Sequence, residues 1–485
     1  MTIHPPVRPR IVIVGGGFTG GSLAWQLARM QVPATIIVIE PREELGRGLA
    51  YSTQDPAHRL NVPAHRISLD PNRPEGFAEW LSSAQDNGWI ADDPELLTAD
   101  GERFPRREVF GQYVAHSLAP LLDSGRIRHI RQRAVDAELE EDGSVLVHLS
   151  DDSTLRAEVL VLATGHPAPA VPPALRGLTG NKRLVEDVYA PDRLAQVQGD
   201  ARVLVLGAAL TSADAISTLE AQGFRGQIRC LSRHGLRSRG HRVIGRESRE
   251  DFTDPAIRRP SELLRRIRHA ITDDLAQGQS WHATMSRLRQ QGAQIWAQLD
   301  EAGRQTLLRH ARTFWDVHRY RLAPQAEAVI DRLVEAGRLE YLAGHLISAE
   351  AREDGISVSW RVRGSRAVQT EHFDHVIVTT GPAQGRCIEQ SPFLGALARL
   401  GQITPDPLGL GLATTGGHHA MDASGRENAR IMIAGPLARG HVGELVGAPE
   451  CASHARNLAQ DVARQLSLAP FFRILGPGAS VAQRA

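Results

Sequence analysis

Lysine and cysteine are scarce in this sequence, and both shortages exclude chemistry. Lys182 is the only lysine among 56 basic residues, so the chain offers almost no amine for a Schiff base or for nucleophilic catalysis. The three cysteines, Cys230, Cys387 and Cys451, lie far apart and form no C-x-x-C pair. This spacing argues against a disulfide scaffold, a zinc ribbon and a dithiol redox centre, and we expect no metal site.

Long apolar runs and excess charge are also missing. No segment approaches the roughly 20 apolar residues of a membrane span, and the first ten residues contain no apolar signal-peptide core. The 56 basic and 55 acidic residues nearly cancel, so neither a nucleic acid nor a membrane is an expected partner. With 485 residues, 42% hydrophobic and 23% charged, the chain is typical of a globular protein of about two or three domains. We therefore expect a cytoplasmic protein.

A dinucleotide-binding motif begins almost at once. Residues 11–28, IVIVGGGFTGGSLAWQLA, predict a buried strand, a glycine turn and a helix. Gly15, Gly17 and Gly20 fill the pattern G-x-G-x-x-G, in which the glycines allow a tight turn, a close approach to a pyrophosphate and close packing of the helix. Glu40 ends the next apolar run, twenty residues after Gly20, where an acidic side chain accepts hydrogen bonds from an adenosine ribose.

The same pattern recurs in altered form in residues 201–223. Gly207, Ala209 and Ser212 occupy the three glycine positions, and small side chains there still allow a close approach. The next strand ends at Arg233, close to the position that Glu40 has in the first motif. An arginine there suits a 2′-phosphate, so the sequence favours NADPH over NADH, although a solvated basic loop would also explain it.

Two further segments indicate how the units are connected. Residues 159–167 and 375–382 are both apolar strands that run into Thr-Gly and then proline, and they bracket the second motif. Residues 245–335 carry apolar side chains at helical spacing. The predicted fold is therefore α/β, with two Rossmann-like dinucleotide-binding domains, the NAD(P)H domain inserted in the FAD domain, and a helical insertion. The predicted domains are residues 1–198 (FAD, first part), 199–244 with 336–372 (NAD(P)H), 245–335 (helical insertion) and 373–485 (FAD, C-terminal part).

Two clusters of polar residues are candidates for the chemistry. Asn61 and His65 follow the first unit's second strand, and we expect them near a flavin, although a turn asparagine and a structural histidine would look alike. His318, Arg319 and Arg321 are predicted to bind an anionic or heterocyclic substrate, or else to join the helix to its neighbours by salt bridges.

The sequence also predicts which residues contact the two cofactors. The FAD contacts are Gly15, Gly17, Phe18, Thr19, Gly20, Glu40, Arg47, Arg107, Thr164, Gly165, Gly435, Pro436 and Glu444. The NAD(P)H contacts are Gly207, Ala209, Ser212 and Arg233.

The motifs together are similar to a known family. The segments GRGLAY (46–51), LNVPA (60–64) and FPRREVFGQY (104–113) resemble FAD- and NAD(P)-binding proteins that include FAD-dependent urate hydroxylase and nitrosuccinate-forming aspartate N-monooxygenase. The similarity continues through GAALTSAD, WDVHRYR and GPLARGHVGE. Ala209 and Ser212 depart from the glycine pattern at the second motif.

This resemblance implies a flavin-dependent monooxygenase that uses FAD, NADPH or NADH, and O2. It implies oxygen transfer from a flavin C4a-hydroperoxide to a small polar substrate, either a purine-like heterocycle or the amine of an amino acid. The alternatives are an FAD/NAD(P)H oxidoreductase that inserts no oxygen and a non-catalytic dinucleotide-binding protein. A disulfide reductase is disfavoured because no cysteines are paired to relay electrons.

Overall fold

A computed structural model describes residues 8–190, 192–416 and 418–475, which form two mainly parallel sheets, one small antiparallel sheet and a helical segment. The strands are β1 Arg10–Val14, β2 Thr35–Ile39, β3 Ile127–Ile130, β4 Ala134–Leu139, β5 Val145–Leu149, β6 Thr154–Ala157, β7 Val159–Leu162, β8 Leu184–Val185, β9 Arg202–Leu206, β10 Gln227–Ser232, β11 Leu339–Ala351, β12 Ile356–Val362, β13 Val368–Phe373, β14 His375–Val378, β15 His419–Met421 and β16 Glu427–Ile433.

Helices cover both large sheets and build the segment between β10 and β11. They are α1 Phe18–Arg29, α2 Gly76–Asp86, α3 Arg107–Asp123, α4 Leu210–Ala221, α5 Pro260–Ala276, α6 Trp281–Gln298, α7 Glu301–His310, α8 Arg312–Arg319, α9 Pro324–Glu335, α10 Cys387–Gln390, α11 Pro392–Arg399, α12 Arg439–Val442 and α13 Ala448–Leu475. Within the described ranges, none of these helices combines the length and the hydropathy that crossing a bilayer requires.

The first unit is built on a sheet of order β15-β16-β7-β1-β2-β3. Its central strands run parallel, and the short apolar runs of β1, β2 and β7 are buried because helices lie on the faces of a parallel sheet. Helix α1 is buried from Phe18 to Ala28, and it packs against the long C-terminal helix α13. The antiparallel strands β4, β5 and β6 form a separate small sheet, which the sequence analysis did not predict.

The second unit is built on a sheet of order β13-β12-β11-β10-β9-β14-β8. Strands β10, β9 and β14 run parallel at its centre, and β11, β12 and β13 close one edge as an antiparallel meander. This sheet extends beyond the predicted domain limits at both ends, because β8 precedes residue 199 and β14 follows residue 372, and the two strands pair with each other. The helical segment, which we define as residues 245–335, contains α5 to α9.

A buried ion pair joins the two units. Arg107, the first residue of α3, donates from Nη1 and Nη2 to the two carboxylate oxygens of Asp214 on α4, at 2.7 and 2.8 Å. The Arg107 Nε group donates to the Arg59 carbonyl at 2.9 Å, and the Tyr189 hydroxyl donates to Asp214 at 2.6 Å. Burial disfavours the charge on Arg107, but Asp214 and Tyr189 more than offset this, so the pKa of the guanidinium is raised.

This geometry corrects the predicted role of Arg107. We expected Arg107 to contact the FAD pyrophosphate, but its guanidinium is committed to a bidentate pair with Asp214 and to one carbonyl. The sequence could not show this, because the partner lies 107 residues away on the other unit. Arg107 therefore fixes the position of the second unit against the first.

We predict that Arg107→Met destabilises the protein by about 3–5 kcal/mol, because it leaves the Asp214 carboxylate buried without its cation. The double variant Arg107→Met/Asp214→Leu should recover much of this loss, because no buried charge remains. Thermal unfolding of both variants measures the effect. A stable Arg107→Met protein that has lost only its flavin would instead support the pyrophosphate role.

Candidate functional site

The first glycine turn brings three strand ends together. The Gly15 N–H donates to the Ile39 carbonyl at 2.9 Å, which ties the end of β1 to the end of β2. Gly15 has φ +102°, and a Cβ atom there would lie 2.3 Å from the Ala163 carbonyl oxygen just beyond β7. Gly20 is equally constrained, since its Cβ would lie 1.9 Å from the Gly15 oxygen. These two glycines are therefore required by the protein's own backbone.

Gly17 is different, because space remains beside it. It caps the N-terminus of α1, and an added Cβ would meet only the Gly48 Cα atom, at an ordinary 3.6 Å. Among the described residues, no side chain caps the first N–H groups of α1. Two glycine backbones and an uncapped helix N-terminus thus form a cradle, the arrangement that binds a pyrophosphate. We call this the Gly17–Gly48 cradle.

Glu40 lies beside this cradle with its carboxylate held in place. Its side chain is 5% exposed. Oε2 accepts a hydrogen bond from the Gly16 N–H at 2.9 Å, and Oε1 accepts one from the Arg42 N–H at 3.1 Å. A fixed carboxylate at the end of β2 is what the ribose interaction requires.

The remaining predicted FAD contacts of the N-terminal half surround the same edge. The Arg47 guanidinium donates to the Tyr51 carbonyl at 3.2 Å and pairs with Glu44, so it stiffens the loop that carries Gly48. Thr164 is exposed just beyond β7, and Gly165 has φ +74° with nothing within 4 Å of an added Cβ. Both residues thus border open space at the carboxyl edge of the sheet.

The turn after β16 closes against the start of α1. Gly435 has φ +71°, and its Cβ would lie 2.6 Å from the Thr19 hydroxyl oxygen. Its N–H donates to Nδ1 of the buried His454 at 3.2 Å. Burial lowers the pKa of His454 to about 3, with smaller contributions from His418 and His441, so this ring stays neutral and can accept. Pro436 is buried in the same turn.

The second turn repeats the geometry of the first. The Gly207 N–H donates to the Leu231 carbonyl at 3.0 Å, and its Cβ would lie 2.6 Å from the Thr379 carbonyl oxygen. Ala209 caps α4 as Gly17 caps α1. Ser212 replaces the third glycine, and its hydroxyl donates to the Ala209 carbonyl at 2.6 Å.

Arg233 follows β10 as Glu40 follows β2. Its side chain is exposed and has no hydrogen bond or ion pair within the described residues. The two turns therefore carry side chains of opposite charge at equivalent corners.

Asn61 and His65 have separate surroundings. The Asn61 carbonyl accepts from His241 Nε2 at 3.1 Å, and its side-chain Oδ1 accepts from the Ala323 N–H at 3.2 Å, so Asn61 joins the first unit to the start of α9. His65 lies near the surface, where Nδ1 is 3.1 Å from Glu102 and Nε2 accepts from Arg66 at 3.1 Å. Of these two residues, Asn61 lies at the junction of the units and His65 does not.

Glu444 and Arg319 pair with each other, which differs from the predicted flavin contact of Glu444 and agrees with the salt-bridge alternative for Arg319. Arg319 Nη2 lies 3.0 Å from a carboxylate oxygen of Glu444 and 3.0 Å from one of Glu450. Glu444 also accepts from the Trp315 indole N–H at 3.2 Å, and Glu450 pairs with Arg289 at 2.7 Å. These contacts fasten the helical segment to the C-terminal segment. We therefore correct Glu444 from a flavin contact, and Arg319 from a substrate contact, to anchoring residues.

His318 and Arg321 are joined within the helical segment, where Arg321 Nε donates to the His318 carbonyl at 3.2 Å and Nη2 donates to the Ser286 hydroxyl at 3.4 Å. The Arg321 guanidinium lies 5.5 Å from the centre of the Trp281 ring, and no carboxylate within the described residues forms a salt bridge with it. Burial lowers its pKa to about 10, with further lowering by Arg319 and other arginines. His318 Nδ1–H donates to the Phe314 carbonyl at 2.7 Å, which leaves Nε2 free.

A cavity of about 300 Å³ lies among α5, α6, α7 and α8. His318 and Glu444 line it, whereas Arg319 and Arg321 do not. The sequence predicted a substrate site at His318, Arg319 and Arg321, whereas most of the cavity lining is apolar. In the part of the chain that the structure describes, no group of three or more His, Cys, Asp or Glu side chains could hold a metal ion.

A family model matches the N-terminal region, and a curated relative matches about a third of the chain. Residues 12–167 match a family model described as FAD-NAD(P)-binding. The matched residues make up about a third of the chain and include the first glycine turn. An uncharacterized protein of Escherichia coli (strain K12), YdhS, is 25% identical over 166 residues, which cover 33% of this chain and 31% of the relative. The match thus spans about a third of that relative's length.

Solved structures match nearly the whole chain. The reduced form of the ornithine hydroxylase PvdA from Pseudomonas aeruginosa has a TM-score of 0.64 at 16% identity, covering 95% of this chain and 100% of that chain. The ornithine N-hydroxylase KtzI from Kutzneria sp. 744, solved with reduced FAD, NADP+ and L-ornithine, gives the same TM-score, identity and coverage. At this identity the likeness shows the fold. The predicted α/β fold with two dinucleotide-binding units is confirmed.

Proposed function

We propose that the protein is an FAD-dependent monooxygenase that takes electrons from NADPH, or less well from NADH, and uses O2 to hydroxylate a nucleophilic group of a small-molecule substrate. The observation that carries the proposal is the Gly17–Gly48 cradle, with Glu40 beside it and a second turn of matching geometry on the neighbouring sheet. The two similar hydroxylases of known structure, one of them holding FAD and NADP+, support it.

The residues present fit FAD. The N-terminus of α1 and the Gly17–Gly48 cradle would hold the pyrophosphate, and Glu40 would accept hydrogen bonds from the ribose. Gly165, which has nothing within 4 Å of an added Cβ, would lie along the flavin half, and Gly435 would close the neighbouring turn against Thr19. FAD, when bound, supplies hydride acceptance and oxygen activation.

The chain's own residues would orient the flavin and the substrate. Asn61 is held through both of its oxygens, and its Nδ2 amide hydrogens have no partner among the described residues, so they can donate to a flavin. Arg321 supplies a desolvated cation at the same junction, since it acts electrostatically on His241, the partner of Asn61. In a site closed to water such charges act strongly on a bound substrate.

The cysteines favour oxygen chemistry over disulfide reduction. Cys230, Cys387 and Cys451 are free and buried. Burial raises the pKa of Cys451 to about 12 and raises the pKa values of the other two thiols, so none forms a thiolate easily. A flavin that cannot pass electrons to a dithiol can pass them to O2.

We expect NADPH to bleach the flavin of the purified protein without oxygen, and to be consumed with O2 in air. A screen of amines, amino acids and purines should find a substrate that converts this consumption from hydrogen peroxide into hydroxylated product, as oxygen electrode and mass spectrometry measure. Flavin reduction without oxygen insertion into any compound of the screen would favour a simple oxidoreductase. A bound flavin that NADPH never reduces would favour a non-catalytic protein.

We predict that Gly17→Val yields folded but colourless protein. The valine fits the protein itself, since only Gly48 Cα lies within 4 Å of the new Cβ, but it fills the pyrophosphate position. Flavin absorbance per chain and circular dichroism measure the two effects. Gly199→Val is the matched control, because nothing lies within 4 Å of its Cβ and it precedes β9, at the opposite end of that strand from the second turn. Wild-type flavin content in Gly17→Val would refute the cradle.

We predict that Arg233→Ala weakens NADPH about tenfold to a hundredfold and leaves NADH nearly unchanged, because a charge-assisted hydrogen bond contributes about 1.5–3 kcal/mol. Steady-state constants for both coenzymes measure this. Arg225→Ala removes another exposed arginine of the second unit and serves as the control. Equal losses for the two coenzymes would show that Arg233 does not read the 2′-phosphate.

A further inference from the structure

The cavity in the helical segment has a built apolar wall. Helix α6 presents Trp281, Met285, Leu288 and Ile295 to it, at the spacing that places side chains on one helix face. Gly292 lies on the same face and leaves the space that a larger side chain would fill, since an added Cβ meets only Glu444 Cβ, at 3.6 Å.

The volume of the cavity suits an organic ligand. At about 300 Å³ it is about twice the volume of a 150 Å³ engineered cavity that binds benzene. Ligand pockets are clefts or cavities of about 300–1,000 Å³ with mainly apolar and aromatic walls, so an apolar space of this size indicates a ligand. Phe314, which is 48% exposed, lies in the lining and marks where the cavity reaches the surface.

One end of the cavity is polar, and an acceptor there is unsatisfied. Asp316 lines this end, and its Oδ1 atom is buried without a hydrogen-bond partner among the described residues. Its Oδ2 atom lies 3.5 Å from Arg312 Nε. Burial raises the pKa of Asp316, which Arg312 and Arg439 partly oppose. A buried carboxylate oxygen without a donor costs free energy that a bound N–H or O–H group would recover.

The polar end adjoins the predicted flavin turn. Arg439 and Gly443 line this end, and Arg439 directly follows the short helix Gly435–Ala438. A substrate whose head lies at Asp316 therefore has its reactive group on the flavin side and its body in the helical segment.

We propose that this cavity binds the apolar body of the substrate, and that Asp316 receives a donor head, so the substrate class is an amine carrying an aliphatic or aromatic chain of about six or more carbons. This deepens the proposed function and depends on it for the identity of the ligand as a substrate. It departs from the small polar substrate that the sequence suggested, because the walls are apolar.

Binding of n-alkylamines to the FAD-loaded protein without NADPH tests the proposal. Each buried methylene group tightens binding about threefold to fourfold, so n-octylamine should bind on the order of a hundredfold more tightly than n-butylamine. Titration calorimetry measures this, and the fluorescence of Trp281, Trp296 and Trp315, which line the cavity, reports it independently. Equal affinities for the two amines would overturn the proposal.

Two variants locate the binding. Gly292→Leu should fill the cavity and weaken octylamine at least tenfold, whereas Ala293→Leu, on the exposed face of the same helix, should not. Asp316→Asn should reduce the preference for octylamine over n-octanol about tenfold. Unchanged octylamine binding by Gly292→Leu, or an unchanged preference in Asp316→Asn, would refute the assignment. Because these measurements need no turnover, they stand apart from any failure of NADPH oxidation.

Discussion

The relative position of the two dinucleotide units depends on the buried pair between Arg107 and Asp214. Two parallel N–H···O bonds between planar groups allow essentially one orientation, whereas an apolar interface would tolerate sliding. Since Arg107 begins α3 and Asp214 lies in α4 beside the second glycine turn, the pair fixes that turn with respect to the first unit. The Nε donor of Arg107 is bound by the Arg59 carbonyl, so each of its three nitrogens makes a hydrogen bond to a buried acceptor.

The helical segment is positioned by a second set of polar contacts, at a different place. Glu444 and Glu450 of the C-terminal segment receive Arg319 and Arg289 from the helices, and Asn61 receives the N–H of Ala323. Of these residues only Glu444 lines the cavity, so the apolar walls are left to the helices themselves. A cavity can persist there because the surrounding helices are held from outside it.

The sequence could predict what local order encodes. The glycine spacing, the apolar runs and the helical periodicity gave both dinucleotide units and the helical segment, because each is determined within about thirty residues. The sequence could not predict which carboxylate each buried arginine pairs with. Arg107 and Arg319 are two arginines among many, and their carboxylates lie more than a hundred residues away. The predicted limits of the second unit left out β8 and β14. Strand β8 has only two residues, and the apolar run of β14 could have joined the sheet of either unit.

The opposite charges of Glu40 and Arg233 bear on how two similar turns would discriminate between FAD and NADPH. FAD and NADPH share the same adenosine diphosphate half, and the two glycine turns offer it nearly the same backbone. The side chains at the ends of the second strands differ in charge, since Glu40 is acidic and Arg233 is basic. In the proposed sites a 2′-phosphate would be repelled by the carboxylate of Glu40 and attracted by the guanidinium of Arg233, while a free ribose hydroxyl would find an acceptor at Glu40 and none at Arg233. One charge reversal between the two proposed pockets would thus direct each cofactor to its own site and keep it from inhibiting at the other.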